Sequence, residues 1–119
     1  MKEENSIKKK SYLFAVRIIR LFQYLTTTKK EFILSKQLLR SGTSVGANVR
    51  ESEHSESNAD FIHKFAIAQK EINETIYWLE LLQNTEYISQ KEFDSIILDA
   101  NEIIRIITSI IKTSKLKNK

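Results

Sequence analysis

The stretch "RSGTSVGANVRES", Arg40 to Ser52, holds both glycines of the chain, Gly42 and Gly46, and places Arg40 and Arg50 on either side of them. Taken alone it reads as a loop or a glycine turn around phosphate. Taken with its flanks it reads as the middle of a helix. Leu34, Leu38, Ser41, Val45, Val49 and Ser52 recur at steps of three or four, and the register passes Gly42 and Gly46 without slipping. A loop has no reason to hold that register for two further turns. The phosphate-loop reading also lacks the G-x-x-x-x-G-K-[ST] spacing and a preceding strand. Two interior glycines cost roughly 1 kcal/mol each relative to alanine, so close packing has to offset them. Gly42 and Gly46 either seat a bulky residue of a neighbouring helix of the same chain or lie in a subunit interface.

Three more amphipathic segments surround this one. The first runs from about 6 to 25, with Phe14, Ile18, Leu21 and Leu25 at helical spacing and Ala15, Ile19 and Phe22 beside them. The polar "TTTKK" then breaks the pattern, and the second segment spans about 30–55. The third, about 58–84, can be capped by Ser57 or Asn58, has Asp60 in its first turn, and carries a stripe from Phe61 through Ile72 to Leu82. Ser89 and Glu92 form a capping box for the fourth, about 90–114, which is rich in isoleucine. The chain of 119 residues has no proline and only two glycines, too few turn residues for a sandwich or barrel. The expected fold is all-α, an antiparallel up-down-up-down four-helix bundle forming one domain over residues 1–119.

With no cysteine, disulfides and thiolate metal sites are excluded. The charged N-terminus lacks a signal-type apolar run and no segment is long enough to span a membrane, so a soluble cytoplasmic protein is expected. The net charge of +4 is unevenly distributed: residues 1–40 carry +7, 41–104 carry −8 and 105–119 carry +5. Up-down-up-down topology gathers Lys8, Lys9 and Lys10 with Lys112, Lys115, Lys117 and Lys119 at one end, facing the acidic turn of Glu51, Glu53, Glu56 and Asp60. Glu51 with His54 and Asp60 with His63 have an acid-x-x-His spacing, but both sit at this turn rather than mid-bundle, and no metal or cofactor is expected. There is no G-x-S-x-G and no cysteine nucleophile, so neither catalysis nor a small-molecule substrate is expected.

The second helix carries a basic stripe. Lys36, Arg40, Thr43, Ala47 and Arg50 fall within about 80° of one another at 100° per residue, and Arg17 and Arg20 add charge on the first helix. Such a stripe suits phosphates, giving Arg17, Arg20, Lys36, Arg40 and Arg50 as candidate nucleic-acid contacts. No aromatic residue interleaves the basic ones along the helix, so base stacking is not expected. Trp78, with Ile67 and Leu81, makes a second stripe on the third helix that needs cover and points to self-association. Gly42, Gly46, Asn48 and Trp78 are the expected packing or interface positions.

The blocks "LSKQLLRSGTSVGANVRES" and "DFIHKFAIAQKEINETIYWLELL" closely resemble the 23S rRNA intervening sequence proteins, a family of small bacterial four-helix bundles, over residues 11–113. The family is similar to the accessory proteins of diversity-generating retroelements. The resemblance implies a homopentamer with basic surfaces, partners among RNA, DNA or a reverse transcriptase, and no catalysis. The matching positions include Arg40, Gly42, Gly46, Asn48, Glu71, Glu74 and Trp78, with Asn48, Glu71 and Glu74 able to bond or pair with Arg40 or Arg50. The alternative is a protein-interaction scaffold whose charges only keep it in solution.

Overall fold

A computed structural model describes residues 2–117. The amphipathic segments form α1 (Lys2–Thr27), α2 (Leu34–Glu51), α3 (Asn58–Asn84) and α4 (Gln90–Leu116), with a single 3-10 turn (Ser52–His54) ending α2. Helices consecutive in the chain pack side by side, and α4 returns to α1. This is an antiparallel up-down-up-down four-helix bundle, about 50 Å long and 22 by 19 Å across. The core is the set of stripes that periodicity picks out: Phe14, Ile18 and Leu25 meet Leu38, Val45 and Val49, then Phe65, Ile72 and Leu79, then Ile96, Ile103 and Ile107. Each such side chain taken fully out of water contributes on the order of 1.5–3 kcal/mol.

The glycines lie inside α2, and they have a cause within the chain. A Cβ on Gly42 would stand 2.8 Å from two side-chain carbons of Ile18, and one on Gly46 would stand 3.2 Å from the backbone oxygen of Ser11. Both positions let α1 approach α2 closely, and the fully buried Ile18 occupies the place of the absent Gly42 side chain. On the other flank of α2, the buried hydroxyls of Ser41 and Thr75 lie 2.9 Å apart and join it to α3. Polar groups so buried are tolerable because each has a partner.

The ends of the elements follow local chemistry. Ser57 accepts a hydrogen bond from the backbone N–H of Asp60 and starts α3. Ser89 does the same for Glu92 and starts α4. α2 begins at Leu34, four residues later than the start near Lys30 expected from the sequence. Lys30 adopts a left-handed conformation, φ 55°, and the N–H of Glu31 closes back on the Leu25 carbonyl at 2.9 Å, which stops α1. The buried Glu31 carboxylate then accepts from the N–H groups of Ile33, Leu34 and Ser35, at 3.2, 3.0 and 2.7 Å. It caps α2 in place of a short side chain. Burial penalises its charge, but the three backbone donors prevail and hold its pKa below the ordinary glutamate range. Phe32 and Ile33, read as part of the helix, lie before it and are exposed.

Candidate nucleic-acid interface

The five basic residues singled out in the sequence do not form one free stripe. All of α2's candidates, Lys36, Arg40 and Arg50, are exposed on its outer face. Arg40, however, is committed to α3: its guanidinium donates to Glu71 at 2.9 Å and to Glu74 at still closer range. On α1, Arg17 donates to Asp99 at 2.9 Å and to Ser95 at 2.7 Å, which ties α1 to α4. Arg17 and Arg40 therefore act first as clamps between helices, each matching one guanidinium fork to two acceptors. Neither belongs to a stripe of free charge. Among the described residues, Arg20, Lys36 and Arg50 have no carboxylate partner within ion-pair distance.

Arg50 has a neighbour that the order of residues along α2 does not show. Its guanidinium carbon lies 5.9 Å from the centre of the Tyr12 ring on α1, in cation–π range. Tyr12 is half exposed, so an aromatic face does stand beside a basic residue, supplied from another helix. Lys8, Tyr12, Arg50 and the small residues Ala15, Gly46 and Ala47 line a shallow groove of about 170 Å³ between α1 and α2. A second groove, about 290 Å³, runs between α1 and α4, where Arg17, Arg20 and Tyr24 face Glu92 across Leu21 and Ile96.

The acidic α2–α3 turn takes up part of the basic charge, as the charge pattern suggests. Lys8 meets Glu53 at 2.9 Å and Lys64 meets Glu51 at 3.4 Å. The hydrogen bond from Lys8 keeps the Glu53 carboxylate below its usual pKa. Lys119 lies outside the described residues. A cavity of about 630 Å³ at this end has Phe61 and Phe65 in its wall, with Lys8, Ser52, Ser55 and Asn58 around them. Its hydroxyls serve the backbone: Ser52 donates to the Val49 carbonyl at 2.6 Å and Ser55 to the Ser52 carbonyl at 2.7 Å. Neither His54 nor His63 lines it, and both are exposed. Among the described residues no three His, Asp or Glu side chains converge as metal ligands would.

The packing candidates take distinct places. Gly42 and Gly46 face α1. Asn48 donates to the Ser44 carbonyl one turn back on its own helix, at 2.9 Å, and so joins no second helix through that bond. Trp78 packs half-buried against the core of its own chain, with Tyr77 edge-on at 5.1 Å. Its indole N–H is buried without an acceptor among the described residues. Trp78 itself is thus partly covered by its own bundle.

Comparison with known proteins places this geometry in a family. Residues 3–109 match the pattern of the 23S rRNA-intervening sequence protein. The fold is similar to the solved structure of a protein of unknown function from the S23 ribosomal protein family of Bacteroides thetaiotaomicron. The TM-score is 0.92 at 55% sequence identity, over 92% of this chain and 98% of that one. No curated protein matches the chain. No described helix is long and apolar enough to cross a membrane. The chain belongs to the 23S rRNA-intervening sequence protein family.

Proposed function

We propose that the protein is a non-enzymatic, self-assembling helical bundle, a homopentamer, that contacts RNA or DNA, or an enzyme acting on them such as a reverse transcriptase, through the basic outer face of α2. The observation that carries this reading is the pair of outward α2 cations left without carboxylates among the described residues, Lys36 and Arg50. Both sit on the outer face of α2, and assembly multiplies them around a ring. Two phosphate contacts per copy make binding salt-dependent, with a loss of about 12-fold per copy between 50 and 200 mM salt.

Fluorescence anisotropy with a structured RNA at low and moderate salt tests it. Lys36→Glu with Arg50→Glu abolishes binding, whereas Arg40→Gln costs less affinity and instead loosens the α2–α3 seam, because Arg40 already serves Glu71 and Glu74. No binding by the wild type at low salt contradicts the nucleic-acid part of the proposal. The second reading, a protein-interaction scaffold, draws on Phe32 and Ile33, large apolar residues exposed at the α1–α2 turn. Capture of a single protein partner that survives nuclease treatment favours that reading.

A further inference from the structure

The outer face of α1 is apolar where a solvent-facing helix is expected to be polar. Tyr12, Leu13, Ile19 and Tyr24 are 56%, 53%, 40% and 36% exposed. With Val16 and Arg20 they fall within about 140° of one another at 100° per residue, on the side turned away from the core residues Phe14 and Ile18. Lys9 and Arg20 on the same face have no carboxylate partner among the described residues. A contiguous apolar face edged by unpaired cations marks a surface that another macromolecule covers. Its aliphatic residues favour protein over nucleic acid as the occupant.

The complementary surface is present on the opposite side of the same chain. The hydrogen bond from Gln69 to Thr108, 3.0 Å, marks the seam between α3 and α4. Counting about 100° per residue from those two positions puts Tyr77 and Leu98 about 80° to the outer side of the seam on α3 and α4 respectively, as two walls of a groove. They are 53% and 70% exposed. Carboxylates accompany them: Glu80 lies one turn from Tyr77 and has no ion pair among the described residues, and Asp94 lies one turn from Leu98 and accepts from Gln90 at 2.7 Å. Residues 71–104 as a whole carry a net charge of −7, against +7 for residues 1–40. Apolar residues among cations on one side thus answer apolar residues among carboxylates on the other.

We infer that the outer face of α1 of one copy packs into the α3–α4 seam of a second copy, with Leu13 and Ile19 between Tyr77 and Leu98 and Arg20 toward Glu80 and Asp94, which both lie about one turn beyond them toward the same end of the seam. This rests on the self-assembly proposed above and names the two surfaces that make it. The contact is heterologous: the two surfaces differ, so each copy offers one of each, and the chain of contacts closes into a ring. Opposite charge fixes its polarity and disfavours α1 against α1.

Complementing variants test it. One carries Leu13→Glu and Ile19→Glu, the other Tyr77→Arg and Leu98→Arg. All four positions are exposed, so the bundle is retained, which far-UV circular dichroism checks; Arg20→Glu, at another exposed position, serves as a milder second probe on α1. Light scattering on size-exclusion peaks reads the masses. The expected result is an assembled wild type, each variant alone at the 13.9 kDa of one chain, and a 1:1 mixture forming a two-chain species, because each partner keeps one intact surface. Arg20→Glu is expected to shift the assembly to at least tenfold higher concentration. An assembled wild type with both variants still assembled overturns the assignment of surfaces and leaves self-assembly standing. Variants that stay single when mixed overturn the heterologous pairing. A wild type of one chain overturns this inference and the proposed assembly together.

Discussion

Gly42 shows how one residue sets the distance between two helices. An alanine there gains up to about 1 kcal/mol in helix propensity. Its Cβ, however, meets the branched, fully buried Ile18 at 2.8 Å, and such overpacking costs roughly 1–3 kcal/mol. Gly42→Ala is therefore expected to destabilise the chain by about 1 kcal/mol in urea unfolding. Combining it with Ile18→Ala should cost at least 1 kcal/mol less than the two single changes added, because the second change removes the clash. Strict additivity would show that the two positions do not share one space. The same scale explains what the basic residues do. Arg17, Arg40 and Arg50 are chemically alike, yet the first two are tied to carboxylates of neighbouring helices while Arg50 rests on an aromatic ring. Only the partner across the groove separates them, and no spacing along α2 reveals that partner.

At the scale of the element, the beginning of α2 is the informative case. Apolar periodicity places the interiors of all four helices, because burial on one side of a helix imposes it. It fails at ends where other physics decides. Phe32 and Ile33 extend the apolar pattern of α2 backwards, but the left-handed Lys30 and the Glu31 cap delay the helix until Leu34. The first turn of α1, charged and without apolar spacing, is helical all the same from Lys2, with Glu3 and Glu4 suited to the positive end of the helix dipole. The Ser57 and Ser89 caps, by contrast, are plain in the sequence because short hydroxyl side chains cap locally. Glu31 also makes a pH prediction. Its folded pKa lies below its unfolded one, so its contribution is fully present above the unfolded value and is lost as pH falls through the folded one. Stability measured by urea unfolding should decline on the acid side of about pH 4.3. Glu31→Gln should cost about 1–3 kcal/mol at neutral pH and flatten that acid limb. An unchanged acid limb in Glu31→Gln would show that another carboxylate sets it.

At the scale of the whole molecule, the topology turns a charge pattern along the chain into a pattern in space. The basic first third becomes α1 and the start of α2, and the acidic stretch from Glu71 to Glu102 becomes the far side of the bundle. Some of that opposition is spent internally, through Lys10 with Glu102 at 3.1 Å and Arg17 with Asp99. The remainder, with the apolar outer face of α1, is left to solvent in a single copy. The spacing of Trp78, Ile67 and Leu81 on α3 and the glycines of α2 pointed to self-association; Gly42 and Gly46 face α1 of the same chain and Trp78 packs against its own core, while α1 keeps an exposed apolar face that the sequence masks because Leu13, Ile19 and Tyr24 interleave with the core residues Phe14, Ile18 and Leu25. The proposal that the bundle works as an assembled ring stands or falls on its mass in solution. Light scattering of the purified chain should give about 70 kDa, five copies of 13.9 kDa, and a steady 13.9 kDa across the concentration range would contradict it.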